Sequence, residues 1–166
     1  MKRAIVVGGG GAKGAYAVGA VKHLKRELGI NFDIVVGTST GALMAPLIVA
    51  DEVEQLEEFY TTLTGPDIIK ENSDADVLGG SFYSTKPLHN LLKRVITNEL
   101  AEKIVASPTQ CVVSAVNLNN ANLVYFHTGE PPEYRMDDHV EFRKVEGRNR
   151  LIFGVLASAS IPIMMT

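Results

Sequence analysis

Cysteine is nearly absent from this chain. Cys111 is the single one among 166 residues, so no disulfide within the chain can staple the fold. It lies in Gln110-Cys111-Val112-Val113-Ser114-Ala115-Val116, which reads as a strand, and a buried, inert thiol is the expectation there. Charge of one sign is also missing. A net charge of −3 carries no basic footprint, so nucleic acid is not an expected partner. No apolar run reaches the roughly 18–20 residues of a membrane-spanning helix. Lys2 and Arg3 precede only four apolar residues, Ala4 to Val7, before a run of glycines. That is too short for a secretory leader, and a cytoplasmic location is expected. Repeats, low-complexity segments and linkers are lacking too. What remains is ordinary for a globular domain: 46% hydrophobic, 21% charged, and long enough for one domain, 1–166, with a sizeable core.

The most informative segment is Gly37-Thr38-Ser39-Thr40-Gly41. It follows the apolar run Ile34-Val35-Val36 and precedes Ala42-Leu43-Met44-Ala45, so a G-x-S-x-G sits on a strand-to-helix turn. A turn this sharp needs residues without bulk on both sides of the serine, and Gly37 and Gly41 supply that. The hydroxyl then stands above the strand ends, and the backbone N–H groups that open the helix point at negative charge forming near it. The chain also begins with a short strand, Arg3 to Gly8, that ends in Gly8-Gly9-Gly10-Gly11-Ala12-Lys13-Gly14. An amphipathic pattern follows, with Tyr16, Ala17, Ala20, Val21, Leu24 and Leu28 at helical spacing. If the first two strands are parallel neighbours, the glycine loop and the serine turn share the carboxyl end of one sheet. Glycines let backbone approach a reacting carbonyl and aim bare N–H groups at it, which is the construction of an oxyanion hole.

The remaining pattern predicts helices over about 14–28, 40–50 (with Pro46 bending it), 51–63, 85–96 and 148–160. The third of these turns Val53, Leu56, Phe59, Tyr60 and Leu63 inward. The fourth has Thr85 as N-cap and Pro87 in its first turn. Strands over about 33–37, 110–116 and 122–128 are predicted, the last two as a hairpin through Leu118-Asn119-Asn120-Ala121. Residues 65–83 read as a surface loop beside the site, and Pro131-Pro132 begins another.

A serine hydroxyl needs a base. The four histidines, His23, His89, His127 and His139, sit in no motif, and each reads as solvated or satisfied. The serine turn also comes too early for an α/β-hydrolase, which needs more sheet before its nucleophile. Gly9-x-Gly11-x-x-Gly14 matches a dinucleotide fingerprint, but strand two ends in Gly37-Thr38-Ser39 instead of the acidic residue that would hold a ribose. A triphosphate loop is excluded because no Gly-Lys-Ser/Thr occurs.

Gly9-Gly10-Gly11-Ala12-Lys13-Gly14, Phe32-Asp33-Ile34-Val35-Val36-Gly37-Thr38-Ser39-Thr40-Gly41-Ala42 and Ala157-Ser158-Ala159-Ser160-Ile161-Pro162 together resemble the patatin-like phospholipases. The resemblance implies a three-layer α/β/α fold around a mostly parallel sheet. It also implies a Ser–Asp dyad without histidine, and hydrolysis of lipid acyl esters without calcium or another cofactor. By that likeness Ser39 is the nucleophile, and the N–H groups of Gly10 and Gly11 are oxyanion donors, with Thr40 N–H as an addition. Lys13 matches a basic loop position that orders the loop or meets a phosphate, with a plain surface lysine as the alternative. A lipid or phospholipid substrate and peripheral membrane contact follow as partners. The likeness also calls for an Asp-Gly after Pro162, and no Asp-Gly occurs. Asp33, Asp51, Asp67, Asp74, Asp76, Asp137 and Asp138 all read better in other roles; Asp74 and Asp76 with Glu71 read as a solvated acidic loop before they read as a metal site. The dyad base is therefore expected to be missing from this stretch, which would leave it inactive alone. A non-catalytic member that binds lipid or protein through the same pocket is the alternative, and a dinucleotide module the second.

Overall fold

The computed structural model describes residues 1–72, 82–131 and 138–161. A five-stranded mixed sheet runs β1 (Ala4–Val7), β2 (Ile34–Thr38), β5 (Gln110–Asn117), β6 (Asn122–His127), β7 (Val140–Lys144) in that order. The first three are mutually parallel, with Val7 beside Gly37 and Gly37 beside Val113. β6 returns antiparallel from β5, and β7 pairs parallel to β6. The α/β class with a mostly parallel central sheet is as expected, and so is the parallel pairing of the first two strands. At their amino ends, Arg3 N–H donates to the Asp33 carboxylate at 2.7 Å and Asp33 N–H to the Arg3 carbonyl at 2.8 Å.

Helix α1 (Gly14–Lys22) links β1 to β2. Helix α2 (Thr40–Val49) follows β2, continues through Pro46, and buries every residue except Leu43. A helix apolar on all sides must be covered on all sides. This one lies against β1, β2 and β5 and is backed by α1, by α3 (Val53–Thr62) and by α7 (Arg148–Ala159). Val35, Met44, Ala45, Val53 and Val155 form the fully buried centre of that packing. α7 reaches the sheet closely because Gly154 lies on the Phe126 ring, where a Cβ would stand 2.8 Å from Cγ. Its first turn is anchored by Arg148, which donates to the Ile96 and Lys93 carbonyls at 2.6 Å each. Side chains alternate across a strand, so Val6 and Val116 point away from α2 and α7, and they are 72% and 58% exposed.

Several local expectations change. The first helix turns Gly14, Val18 and Val21 inward, while Tyr16, Ala20 and Leu28 are exposed. Its last stretch, His23–Glu27, widens into a π turn. There Lys25 reaches the Asp51 carboxylate at 2.8 Å and Arg26 reaches Glu54 at 2.6 Å. Residues 51–63 are not one helix from the start: Asp51 has φ 62, and α3 begins at Val53. Thr85 makes no side-chain cap to α5 (Lys86–Val95); Ser84 Oγ accepts from Lys86 N–H instead, at 3.3 Å. The expected surface loop holds a short helix α4 (Gly65–Ile68) and a two-residue pairing of β3 (Lys70–Glu71) with β4 (Tyr83–Ser84). Outside that loop, two further elements were not foreseen. Helix α6 (Asn98–Val105) is capped by Thr97 Oγ1, which accepts from Leu100 N–H at 3.1 Å. β7 alternates as Val-Glu-Phe-Arg-Lys. The hairpin of β5 and β6 and the last helix stand where the pattern placed them.

Candidate active site

Ser39 occupies the single residue between the end of β2 and the start of α2, with φ 54 and ψ −117. The Ala42 N–H returns to the Ser39 carbonyl at 2.9 Å and Leu43 N–H at 3.3 Å, so the helix begins at once. Thr40 and Gly41 supply the first N–H groups of α2, which have no partner within the helix. The flanking glycines are needed for space. A Cβ on Gly37 would overlap the Gly41 carbonyl, and a Cβ on Gly41 would overlap the Val7 carbonyl. Strand end, helix start and neighbouring strand thus meet backbone to backbone, and only residues without side chains allow it.

The glycine loop lies over this turn. A Cβ on Gly9 would stand 2.9 Å from Ser39 Cβ and 3.5 Å from its Oγ. Gly11 has φ 56, a region that favours glycine. Gly10 and Lys13 close a tight turn, with Lys13 N–H on the Gly10 carbonyl at 3.2 Å, and both are exposed. Gly14 is buried: a Cβ there would collide with Thr40 Cγ2 and reach within 2.9 Å of the Tyr60 hydroxyl. Burial pushes that Tyr60 hydroxyl up to about 12. The Thr40 hydroxyl donates to the Gly11 carbonyl at 3.2 Å, tying the loop to the serine turn. The structure therefore brings Gly9, Gly11, Gly14, Gly37, Thr40 and Gly41 together around Ser39.

Two contacts at this end of the sheet had no signal in the local sequence. Thr38 Oγ1 and Ser114 Oγ are 2.6 Å apart, joining β2 to β5. Ser39 N–H donates to Ser158 Oγ at 2.8 Å, across 119 residues of chain. The segment holding Ser158 was conspicuous, but nothing near it says which backbone group it meets.

Other titratable residues are engaged elsewhere. The Asp33 carboxylate holds Arg3 N–H at the opposite end of β2. Burial raises the Asp51 carboxyl, but hydrogen bonds from Lys25 and Arg26 outweigh it and hold the group below the usual carboxylate range. Asp67 accepts from Thr64 N–H and Oγ1 at the start of α4, which lowers it too. Asp138 lies in an exposed turn, and Asp74, Asp76 and Asp137 lie outside the described residues. His127 is buried, with Nδ1 2.8 Å from the Gly129 carbonyl. His23 and His139 are exposed and His89 half-buried. Cys111 is buried and pushed up to about 12, the inert thiol expected. Among the described residues, no helix is long and apolar enough to cross a membrane.

Residues 5–166 match the family model of the patatin-like phospholipases. A cUMP-AMP-activated phospholipase of Escherichia coli is 35% identical over 108 residues, covering 62% of this chain and 31% of that protein. A cGAMP-activated phospholipase of Vibrio cholerae serotype O1 is 24% identical over 183 residues, covering 96% of this chain and 48% of that protein. One from Escherichia coli strain TW11681 is 23% identical, with 96% and 46% covered. The chain thus spans half the length, or less, of these curated relatives.

Proposed function

The chain belongs to the patatin-like phospholipase family, and from that premise we propose that it carries the nucleophile and the oxyanion hole of a lipid acyl hydrolase. The observation that supports this best is the approach of the glycine loop to Ser39, with Gly9 so close that any side chain would press on the serine. Ser39 Oγ attacks the ester carbonyl. The carbonyl oxygen becomes an oxyanion, held by the N–H groups of Gly10 and Gly11 with Thr40 N–H at the start of α2. The alcohol leaves with the serine's proton, and water then releases the acid from acyl-Ser39.

A carboxylate serves as the base. It takes the serine proton when close and partly desolvated, since desolvation raises its pKa. Asp33, Asp51 and Asp67 are bound to other partners and Asp138 lies in an exposed turn, so none of the described aspartates offers a free, partly desolvated carboxylate, and the base is taken from outside the described residues. A lipid substrate suits the surroundings. Tyr16, two residues past Gly14, is 86% exposed, and Ile161, three past Ser158, is 54% exposed, so large side chains close in sequence to both parts of the site are free to rest on acyl chains or a bilayer surface. The relatives' names extend the proposal: activity is switched on by a cyclic dinucleotide.

A fluorophosphonate probe tests the core of the reading. In a chain extended through a downstream Asp-Gly that supplies the base, it should label Ser39 and leave Ser39→Ala unlabelled. Phospholipid vesicles incubated with the protein, with and without cUMP-AMP or cGAMP, test the rest, fatty acid release being the readout. Equal labelling of wild type and Ser39→Ala would remove Ser39 as nucleophile. Labelling at Ser39 without release from that extended chain under any condition would favour a lipid-binding role.

A further inference from the structure

The segment Ala157-Ser158-Ala159-Ser160-Ile161-Pro162 carries part of the family likeness, yet neither the nucleophile nor the oxyanion hole uses it. Its second residue makes a contact at the heart of the site. Ser39 is held at φ 54, a conformation that costs a non-glycine residue about 1–3 kcal/mol and persists only when its surroundings enforce it. The carbonyl side of Ser39 is enforced by α2, through the Ala42 and Leu43 N–H groups. The amide side has no such support from the sheet, because the register of β2 with β5 ends at Thr38 beside Ser114. The Ser39 N–H is instead taken by Ser158 Oγ at 2.8 Å.

We propose that Ser158 is a positioning residue for the nucleophile. Its hydroxyl oxygen accepts the Ser39 N–H, fixes the Thr38–Ser39 peptide plane, and thereby sets the direction in which the Ser39 hydroxyl points. The support is rigid. Ser158 sits in the last turn of α7, which packs on the sheet through Gly154 on Phe126 and is tied at its start by Arg148 to the end of α5. Held this way, the Ser39 N–H is spent and cannot serve the oxyanion, which leaves that task to the glycine loop and to α2. The inference rests on Ser39 being the nucleophile, but the hydrogen bond can be tested apart from it.

The experiment compares wild type, Ser158→Ala and Ser158→Thr by two readouts: amide hydrogen exchange at Ser39, and the rate of fluorophosphonate labelling. In Ser158→Ala the Ser39 amide should exchange about tenfold faster, as for loss of one hydrogen bond. Labelling should slow about tenfold or more, because a misaimed nucleophile loses near-attack geometry. Ser158→Thr retains the acceptor and should restore both to within about threefold of wild type. On an ester that is turned over, the loss should fall on kcat with KM unchanged. Wild-type exchange and labelling in Ser158→Ala would overturn the proposal. So would acceleration spread evenly over core amides such as Val35 and Val113, since that marks a general loss of stability. If wild type is not labelled even when extended through a downstream Asp-Gly that supplies the base, the nucleophile reading fails, while Ser39 exchange still decides whether Ser158 holds the turn.

Discussion

Replacing Ser39 by glycine should stabilise the protein relative to replacing it by alanine, although both remove the hydroxyl. The perturbation isolates backbone strain. Ser39 has φ 54 and ψ −117, which resembles the first central position of a type II′ turn, a glycine site. An L-residue with a Cβ in such a left-handed conformation pays about 1–2 kcal/mol. Alanine keeps that cost and glycine removes it. Glycine in turn gains unfolded-state freedom, which offsets about 0.4–1 kcal/mol. The balance favours Ser39→Gly by about 1 kcal/mol, equivalent to about 2–4 °C in Tm for a domain of this size. Both variants keep the Ser39 N–H and so the bond to Ser158 Oγ, which leaves strain as the difference between them. Thermal unfolding followed by circular dichroism, with a urea titration to check that the slope is unchanged, reads the effect. An alanine variant as stable as the glycine variant, or more so, would refute strain at the serine.

Gly11→Val should lower the labelling rate of Ser39, or kcat where turnover is measured, by about a hundredfold or more, the range for losing one oxyanion donor; a change confined to KM would show that the loop only binds substrate. Circular dichroism must accompany this variant, because φ 56 strains a β-branched residue and loss of fold would mimic the effect. Acid should destabilise the protein through carboxylates whose folded values are depressed. The Arg26 side chain holds Glu54 down from 4.5 to about 2. Asn120, Arg143 and Asn122 hold Glu141 down to about 2 likewise. A depressed folded value means the contribution is complete above the unfolded value and is lost as pH falls through the folded one. The urea midpoint should therefore decline between about pH 4.5 and pH 2, and Glu54→Gln should flatten the decline; an unchanged slope in that variant would remove Glu54 from the account.

The serine turn was legible because its demands are local. A reversal from strand to helix with a reactive residue at the tip requires small neighbours within two residues, and Gly37 and Gly41 announce it. The glycine loop was legible for the same reason, as were the strands, the hairpin and the last helix, whose periodicities are carried by their own residues. Sequence alone misjudged places where a distant partner decides. Tyr16 and Leu28 fit the helical spacing, but the face that α3 and α2 cover runs through Gly14, Val18 and Val21, of which only Val21 was in the pattern read from the sequence. Thr85 looks like a cap, yet the hydroxyl that caps is Ser84. β7 is short and charged at alternate positions, so its pairing with β6 supplies what its composition does not advertise. At the site, the residue types around Ser39 could be read in order along the chain. That Gly9 lies against the serine, that the Thr40 hydroxyl ties down the Gly11 carbonyl, and that Ser158 accepts the Ser39 N–H depend on the packing of α2 and α7 on one face of the sheet. A hydrogen bond spanning 119 residues leaves no trace in local pattern, because its two ends obey different neighbours until the core brings them together.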